Sequence, residues 1–233
     1  MKFDPPLVEA IFLRRYKRFF ADFVLDGSTV TAACANTGRM TGILNEGAKS
    51  YIQPNDNPKR RLKWDWYSVE SNNTLVGCHT SVPNKLGFDA VTRGEIPELT
   101  GYETIEREKK YGSENSRIDL LLTDPVRPPC YVEIKNVHMM TEPGIASFPD
   151  AVTERGLKHL RELSAEVKRG NRAVMLYVVQ RADCQSFKPA PEIDPAYAEG
   201  LKLASDAGVE ILAYSCHVSP QQINLADRLE TIL

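Results

Sequence analysis

The sequence predicts an all-β barrel followed by an α/β sandwich around a mixed sheet. Three observations carry this. Residues 7–80 hold about five runs rich in β-branched and aromatic residues, separated by turn clusters at Asp26-Gly27, residues 54–58 and Ser71-Asn72-Asn73. From residue 102 onward, apolar strand-like runs alternate with helical periodicity. Between them, residues 83–100 carry Pro83, Gly87, Gly94 and Pro97, which places a boundary there. The expected division is residues 1–82 for the barrel and 83–233 for the α/β part.

In the first part, Phe19 to Leu25 is the opening strand, and Asp26-Gly27 supplies the tight turn that suits a two-residue hairpin. Thr29 to Ala35 returns. Ala48 to Gln53, Leu62 to Val69 and Thr74 to Thr80 complete a small barrel of the OB type. Two clusters interleave cations with aromatics. One holds Arg14, Arg15, Lys17 and Arg18 around Tyr16 and Phe19-Phe20. The other holds Lys59, Arg60, Arg61 and Lys63 beside Trp64 and Trp66. Cations meet phosphates and ring faces meet bases, as a groove tracking a nucleic-acid backbone requires. A solvated barrel exterior, with basic stems lying over apolar surface, explains the same pattern equally well.

In the second part, residues 83–93 read as a linker running into a short helix with Leu86, Ala90 and Val91 inward. Tyr102 to Tyr111 is a strand. Ser116 to Val137 is a β-hairpin turning near residues 125–129. Gly144 to Pro149 is a loop, and Asp150 to Arg169 a helix capped by Asp150, its stripe formed by Val152, Leu157, Leu160, Leu163 and Val167. Ala173 to Val179 and Val209 to Tyr214 are continuous apolar runs and read as buried strands. Asp194 to Ala207 is a further helix, and residues 219–233 end in a weak strand.

Overall charge is −2, so polyanion binding must come from local patches. No apolar run approaches the ~20 residues of a membrane span, so no membrane partner is expected. The first residues lack a signal-peptide core. Five scattered cysteines without a CxxC argue for a reducing cytoplasm and against a zinc cluster.

The chemistry concentrates in the hairpin. Asp119 interrupts its first strand, and Glu133 and Lys135 interrupt the second. With a strand period of two, Glu133 and Lys135 share a face, and Val132, Ile134 and Asn136 share the other. Charges there are costly unless paired or metal-bound. Carboxylates suit Mg2+ or Mn2+, and a lysine holds a phosphate oxygen or orients a water. A strand-face salt bridge is the competing explanation. Weaker candidates are Glu114 and Asn115 ahead of the first strand, Arg155 and His159 at i and i+4 on the long helix, and Gln180 at the end of a buried strand.

Asp, thirteen intervening residues and then Glu-x-Lys, on consecutive strands before an amphipathic helix, resembles the PD-(D/E)xK nuclease superfamily, although Ile118 stands where that motif has proline. Longer stretches are more specific. Residues 3–10, 35–40 and 56–60, Gly112 to Asp119, Tyr131 to Val137 and Phe148 to Gly156 together resemble the sugar fermentation stimulation protein A family. That resemblance implies an OB-like domain, a PD-(D/E)xK-type domain, non-specific DNA binding and a regulatory link to sugar (maltose) metabolism. Asp119, Glu133 and Lys135 match its nuclease-like positions. Three functional expectations follow: a sequence-nonspecific DNA-binding protein with a nuclease-like metal site, an active Mg2+- or Mn2+-dependent nuclease, and a hydrolase of small phosphoesters or nucleotides.

Overall fold

Asp26-Gly27 and Asn72-Asn73 set the first half of the fold. All four residues have positive φ (49°, 75°, 53° and 57°), the conformation that lets a two-residue loop follow the strand twist. They join β2 (Phe20–Leu25) to β3 (Ser28–Ala33) and β5 (Trp64–Ser71) to β6 (Thr74–Gly77). With β1 (Val8–Tyr16) and β4 (Lys49–Pro54), these strands run in the order β3-β2-β1-β4-β5-β6. A parallel contact between Ala33 and Asp65 closes β3 onto β5, so β1 to β5 form a ring. The computed structural model describes residues 1–114 and 116–233.

Five ring strands agree with the expected barrel, but the membership differs. β1 was absent from the expected set because its second half, Arg14-Arg15-Tyr16, reads as a charged cluster. Its first half alternates, and Ala10 and Phe12 are buried. Conversely, β6, expected as a barrel strand, pairs with β5 alone and lies outside the ring. Trp66 fills the barrel core: Phe12 stacks on it at 5.1 Å and Phe23 meets it edge-on at 5.3 Å.

The second half is built on a six-stranded sheet. Its strands are β7 (Thr104–Tyr111), β8 (Ser116–Asp124), β9 (Arg127–Val137), β12 (Arg172–Val179), β14 (Glu210–Val218) and β15 (Ile223–Arg228), in the order β15-β14-β12-β9-β8-β7. β12 is parallel to both neighbours and the outer pairs are antiparallel, so the sheet is mixed. Residues Ala173 to Val179 are fully buried, because helices cover both faces. α1 (Val82–Thr92) covers one face, and α2 (Glu154–Lys168) and α3 (Pro195–Asp206) cover the other. A smaller sheet, β10-β11-β13-β16, joins β10 (Met140–Glu142), β11 (Ile145–Phe148), β13 (Ser186–Pro189) and β16 (Glu230–Thr231) at the edge.

Several boundaries correct the sequence reading. The segment expected as a linker and short helix is a core helix: Leu86 and Ala90 are buried, and Gly87 lies so close to the sheet that an added Cβ would sit 2.6 Å from Ile134 Cδ1. Ile145–Phe148, expected in a loop, pairs in parallel with β13. α2 starts at Glu154, capped by Thr153 Oγ1, which accepts from the Gly156 N–H at 3.0 Å. Asp150 instead accepts from the Met40 N–H at 2.8 Å, bonding the α/β part to the barrel. Val152 precedes the helix and is exposed rather than part of its stripe. The hairpin turn is tighter than expected, leaving only Pro125 and Val126 between β8 and β9. The first residues of the chain also belong with the second half: Phe3 and Leu7 lie in the core under α1. No helix among the described residues is long and apolar enough to cross a membrane.

Candidate functional site

The β8–β9 ladder pairs Leu120 with Val132 and ends there, so Asp119 and Glu133 each lie one residue beyond its last pair. There the strands part. The Ile134 N–H, freed from a cross-strand carbonyl, donates to Asp119 Oδ2 at 2.7 Å. Ile118 packs in the core under α2 and Leu120 in the core under α1, so β8 turns over at Asp119. Opposite this point on β7, Glu108 has a φ of 54°. Such a conformation is uncommon for a side-chain-bearing residue and marks local backbone strain. The other oxygen, Asp119 Oδ1, accepts from the Asn84 side-chain amide on α1 at 2.6 Å.

Alternation along β9 puts Glu133 and Lys135 toward α2, as expected, and Val132 and Ile134 toward α1. Glu133 is 3% exposed. Its Oε1 accepts from Lys135 Nζ at 2.7 Å and contacts His159 Nδ1, and its Oε2 is buried with no partner. Arg155 Nε lies 3.4 Å from His159 Nε2. With Nε2 accepting, Nδ1 carries the proton that His159 donates to Glu133.

The two carboxyls have opposite acidities. Burial first, and then the neighbouring Glu133 charge, push Asp119 up to about 7. Burial pushes Glu133 upward too, but Lys135 and His159 outweigh it and hold this carboxyl below its ordinary value. Glu133 and Lys135 are therefore joined on the α2 side by His159 and Arg155, and Asp119, held from the α1 side by Asn84, lies near enough for the Glu133 charge to act on it.

Three further residues adjoin the site. Asn84 comes from α1, far along the chain. Tyr111, at the end of β7, has a buried hydroxyl with no partner, and its acidity is weakened by burial and then by Glu133, Glu162 and Asp119. Glu162, one turn beyond His159 on α2, is buried with Oε2 unbonded, while its Oε1 accepts from the Glu114 N–H at 2.8 Å. The spacing of residues 159 and 162 on one helix face was the available cue for Glu162.

The remaining candidates are placed elsewhere. Glu114 faces solvent and pairs with Arg161 at 3.1 Å. Asn115 lies outside the described residues. Gln180 is fully buried at the seam with the barrel: its Nε2 donates to Asn136 Oδ1 at 2.6 Å, and its carbonyl accepts from the Gly77 N–H at 2.7 Å.

The basic clusters divide into anchored and free side chains. Arg14 pairs with Asp22 at 2.9 Å, and Arg60 holds Asp65 by two bonds of 2.7 Å. Arg15 donates to the carbonyls of Asn36 and Arg18. Lys63 donates to the Asn57 carbonyl at 3.1 Å. Lys17, Arg18, Lys59 and Arg61 are exposed, and Phe19 is 56% exposed beside them. Trp64 is half-buried against the barrel core.

Among the described residues, no three His, Cys, Asp or Glu side chains converge as a ready-made ligand set. Asp119 and Glu133 nevertheless fit a hard divalent cation by donor chemistry. Both are oxygen ligands, one oxygen of Glu133 is buried without a partner, and such ions complete their shells with water and phosphate.

Comparison with known proteins agrees with both halves of the fold. Residues 13–78 match a model of the SfsA N-terminal OB domain, and residues 81–222 match a model of the sugar fermentation stimulation protein RE domain. A sugar fermentation stimulation protein homolog from Maricaulis maris is 55% identical over 224 residues, covering 96% of this chain and 95% of the relative. One from Rhodospirillum centenum is 53% identical over 226 residues, covering 97% of each. The solved structure of Pyrococcus furiosus SfsA in complex with Ca2+ superimposes with a TM-score of 0.89 at 29% identity, over 100% of this chain and 98% of that one. On these matches, which run nearly end to end, the chain belongs to the sugar fermentation stimulation protein family.

Proposed function

We propose that this chain binds DNA without sequence preference and holds a divalent cation at a nuclease-type site formed by Asp119 and Glu133. The observation that carries the metal reading is the carboxylate pair at the splayed end of β8 and β9, with Glu133 Oε2 buried and unbonded. The archaeal relative solved with Ca2+ shares the whole fold and supports a divalent ion here. Exposed Lys17, Arg18, Lys59 and Arg61 on the barrel supply the charge for a phosphate backbone, and exposed Phe19 offers a ring face. All five cysteines are free and buried, in keeping with a cytoplasmic DNA-binding role.

The chain's own residues divide the work. Asn84 and the Ile134 N–H fix both oxygens of Asp119. His159 and Lys135 fix Glu133 through Oε1, so that Oε2 remains to bind. Lys135, bonded to Glu133, offsets its charge and would also take a phosphate oxygen. A bound cation would supply Lewis-acid polarisation of a phosphoryl group.

Phosphodiester hydrolysis is the second reading. It is favoured by Lys135, whose Nζ lies 2.7 Å from Glu133 Oε1 and would set a cation beside the phosphate that such a reaction attacks. Four measurements test these readings. Fluorescence anisotropy with labelled oligonucleotides of unrelated sequence should give equal affinities that fall steeply with salt; flat salt dependence overturns the DNA reading. Calorimetry with Ca2+ or Mn2+ should show binding that Glu133→Ala removes. Cleavage of either strand form that disappears in Glu133→Ala and Lys135→Ala would establish the nuclease. Turnover of mononucleotides alone would favour a small-substrate hydrolase.

A further inference from the structure

A cavity of about 380 Å3 lies between the barrel and the sheet. Its walls come from Asn36 and Gly38 of the barrel, from Val137 and His138 at the end of β9, and from Phe148 and Asp150 ahead of α2. Two of its polar side chains, His138 and Asn36, are not paired off. His138 is 4% exposed, and neither ring nitrogen has a hydrogen-bond partner. The nearest acid, Asp150 Oδ2, is 3.6 Å from its Nε2, too far for a bond, and is already engaged by the Met40 N–H. Asn36 is also 4% exposed. Its Oδ1 accepts from the Gly38 N–H at 2.9 Å, and its Nδ2 donates to nothing. Burial keeps His138 uncharged against the pull of Asp150, so its ring offers one donor and one acceptor. Exposed Arg18 also lines the cavity and has no carboxylate within ion-pair distance among the described residues.

We infer that this cavity receives one base of a bound nucleic-acid strand, with the adjoining phosphate held by Arg18. The inference rests on the DNA-binding reading. The chemistry selects a planar heterocycle over other occupants. A lone anion would have Arg18 but would meet the Asp150 carboxylate. A cation would find one carboxylate and one imidazole, too few ligands. An apolar chain would leave His138 and Asn36 unpaired, whereas the edge of a base carries both donors and acceptors and its face suits the half-buried Phe148 ring. The volume lies within the range of small-molecule sites. Placement agrees: His138 follows Lys135 by three residues, about 10 Å along an extended chain, so a strand crossing the carboxylate pair reaches the cavity with a neighbouring nucleotide.

The test uses oligonucleotides with 5-iodouracil at successive positions and a terminal dye. Anisotropy reads binding, and ultraviolet cross-linking followed by peptide mapping reads where the base sits. The wild-type chain should bind and cross-link within residues 136–153. Ala151→Trp, which fills the cavity, should cut those cross-links at least tenfold while the barrel still binds the strand. Val152→Trp, at an exposed position on the same wall, gives a second blocked variant should the first fold poorly. Binding with cross-links confined to the barrel, or cross-links indifferent to both variants, would overturn the cavity assignment and leave the DNA reading standing. Absence of binding by the wild-type chain would overturn both.

Discussion

Asn84 on α1 donates to Asp119 Oδ1 on β8 at 2.6 Å, so a helix on one face of the sheet sets the orientation of this carboxyl, while Glu133 on the neighbouring strand is held by His159 from the other. Asn84→Ala should loosen Asp119 without removing it. The expected cost is about 1 kcal/mol in stability and roughly 10–100-fold in divalent-ion affinity, as for other residues that orient a ligand. Chemical denaturation and calorimetry with Mn2+ read the two effects separately. Unchanged ion affinity would show that Asp119 holds its position unaided.

Asp119 also gives the site a pH signature. Its folded acidity, about 7, lies above its ordinary value near 3.8, so the folded state binds this proton more tightly than the unfolded state. Stability from that proton is complete below the unfolded value and is lost as pH rises toward 7. Without divalent ions, the stability of the wild type relative to Asp119→Asn should fall by on the order of 1–2 kcal/mol between pH 5 and pH 8. Ca2+ should restore it at pH 8, because the ion favours the ionised form. Urea melts at the two pH values with EDTA or Ca2+ decide this; a constant gap would refute the raised pKa of Asp119.

His159 is the second support. His159→Gln keeps a donor toward Glu133, and His159→Ala leaves a buried carboxylate with Lys135 alone. The alanine variant should lose about 1–3 kcal/mol and the glutamine variant less. Thermal melts of both against wild type, with Mn2+ titrations alongside, check the order.

On the barrel, Lys59, Arg61 and Lys63 are exposed, but Arg60 holds Asp65, whose side chain is only 14% exposed. Replacing the first three with Ser should leave the fold intact and reduce the slope of log affinity against log salt by about 0.7–0.9 for each phosphate contact removed. Arg60→Ala should act chiefly through stability, by stranding the Asp65 carboxylate. Salt titrations at matched folded fraction separate these outcomes.

Trp66→Ala should cost about 3–5 kcal/mol, since the ring is the hub of the barrel core. Trp64→Ala should cost roughly half of that or less. Equal losses would show that Trp64 is packed as tightly as its neighbour.

Period-two alternation and a Pro-containing turn made the hairpin and its acidic face legible in the sequence, because those signals are local. Ala173 to Val179 was equally plain: seven apolar residues in a row have few alternatives to burial in a central strand. What stayed hidden was long-range. Nothing near Asn84 announces Asp119, and Tyr111 and Glu162 reach the site only through packing of β7 and α2. β1 was obscured because one strand carries both a buried half and a charged half. Asp150 looked like a helix cap because capping and joining two halves of a protein call on the same acceptor chemistry.

The first seven residues have a mechanical consequence. The chain leaves the core under α1 at Leu7, runs through the barrel and returns to that core at Val82. The barrel is thus inserted into the α/β part and tethered at two points, with further bolts at Asp150–Met40 and Gln180–Gly77. A bead on one string can swivel; a bay fixed to the wall at both ends moves only with the wall. On the proposed DNA-binding reading, a strand gripped by the barrel would be delivered to the carboxylates at a set angle.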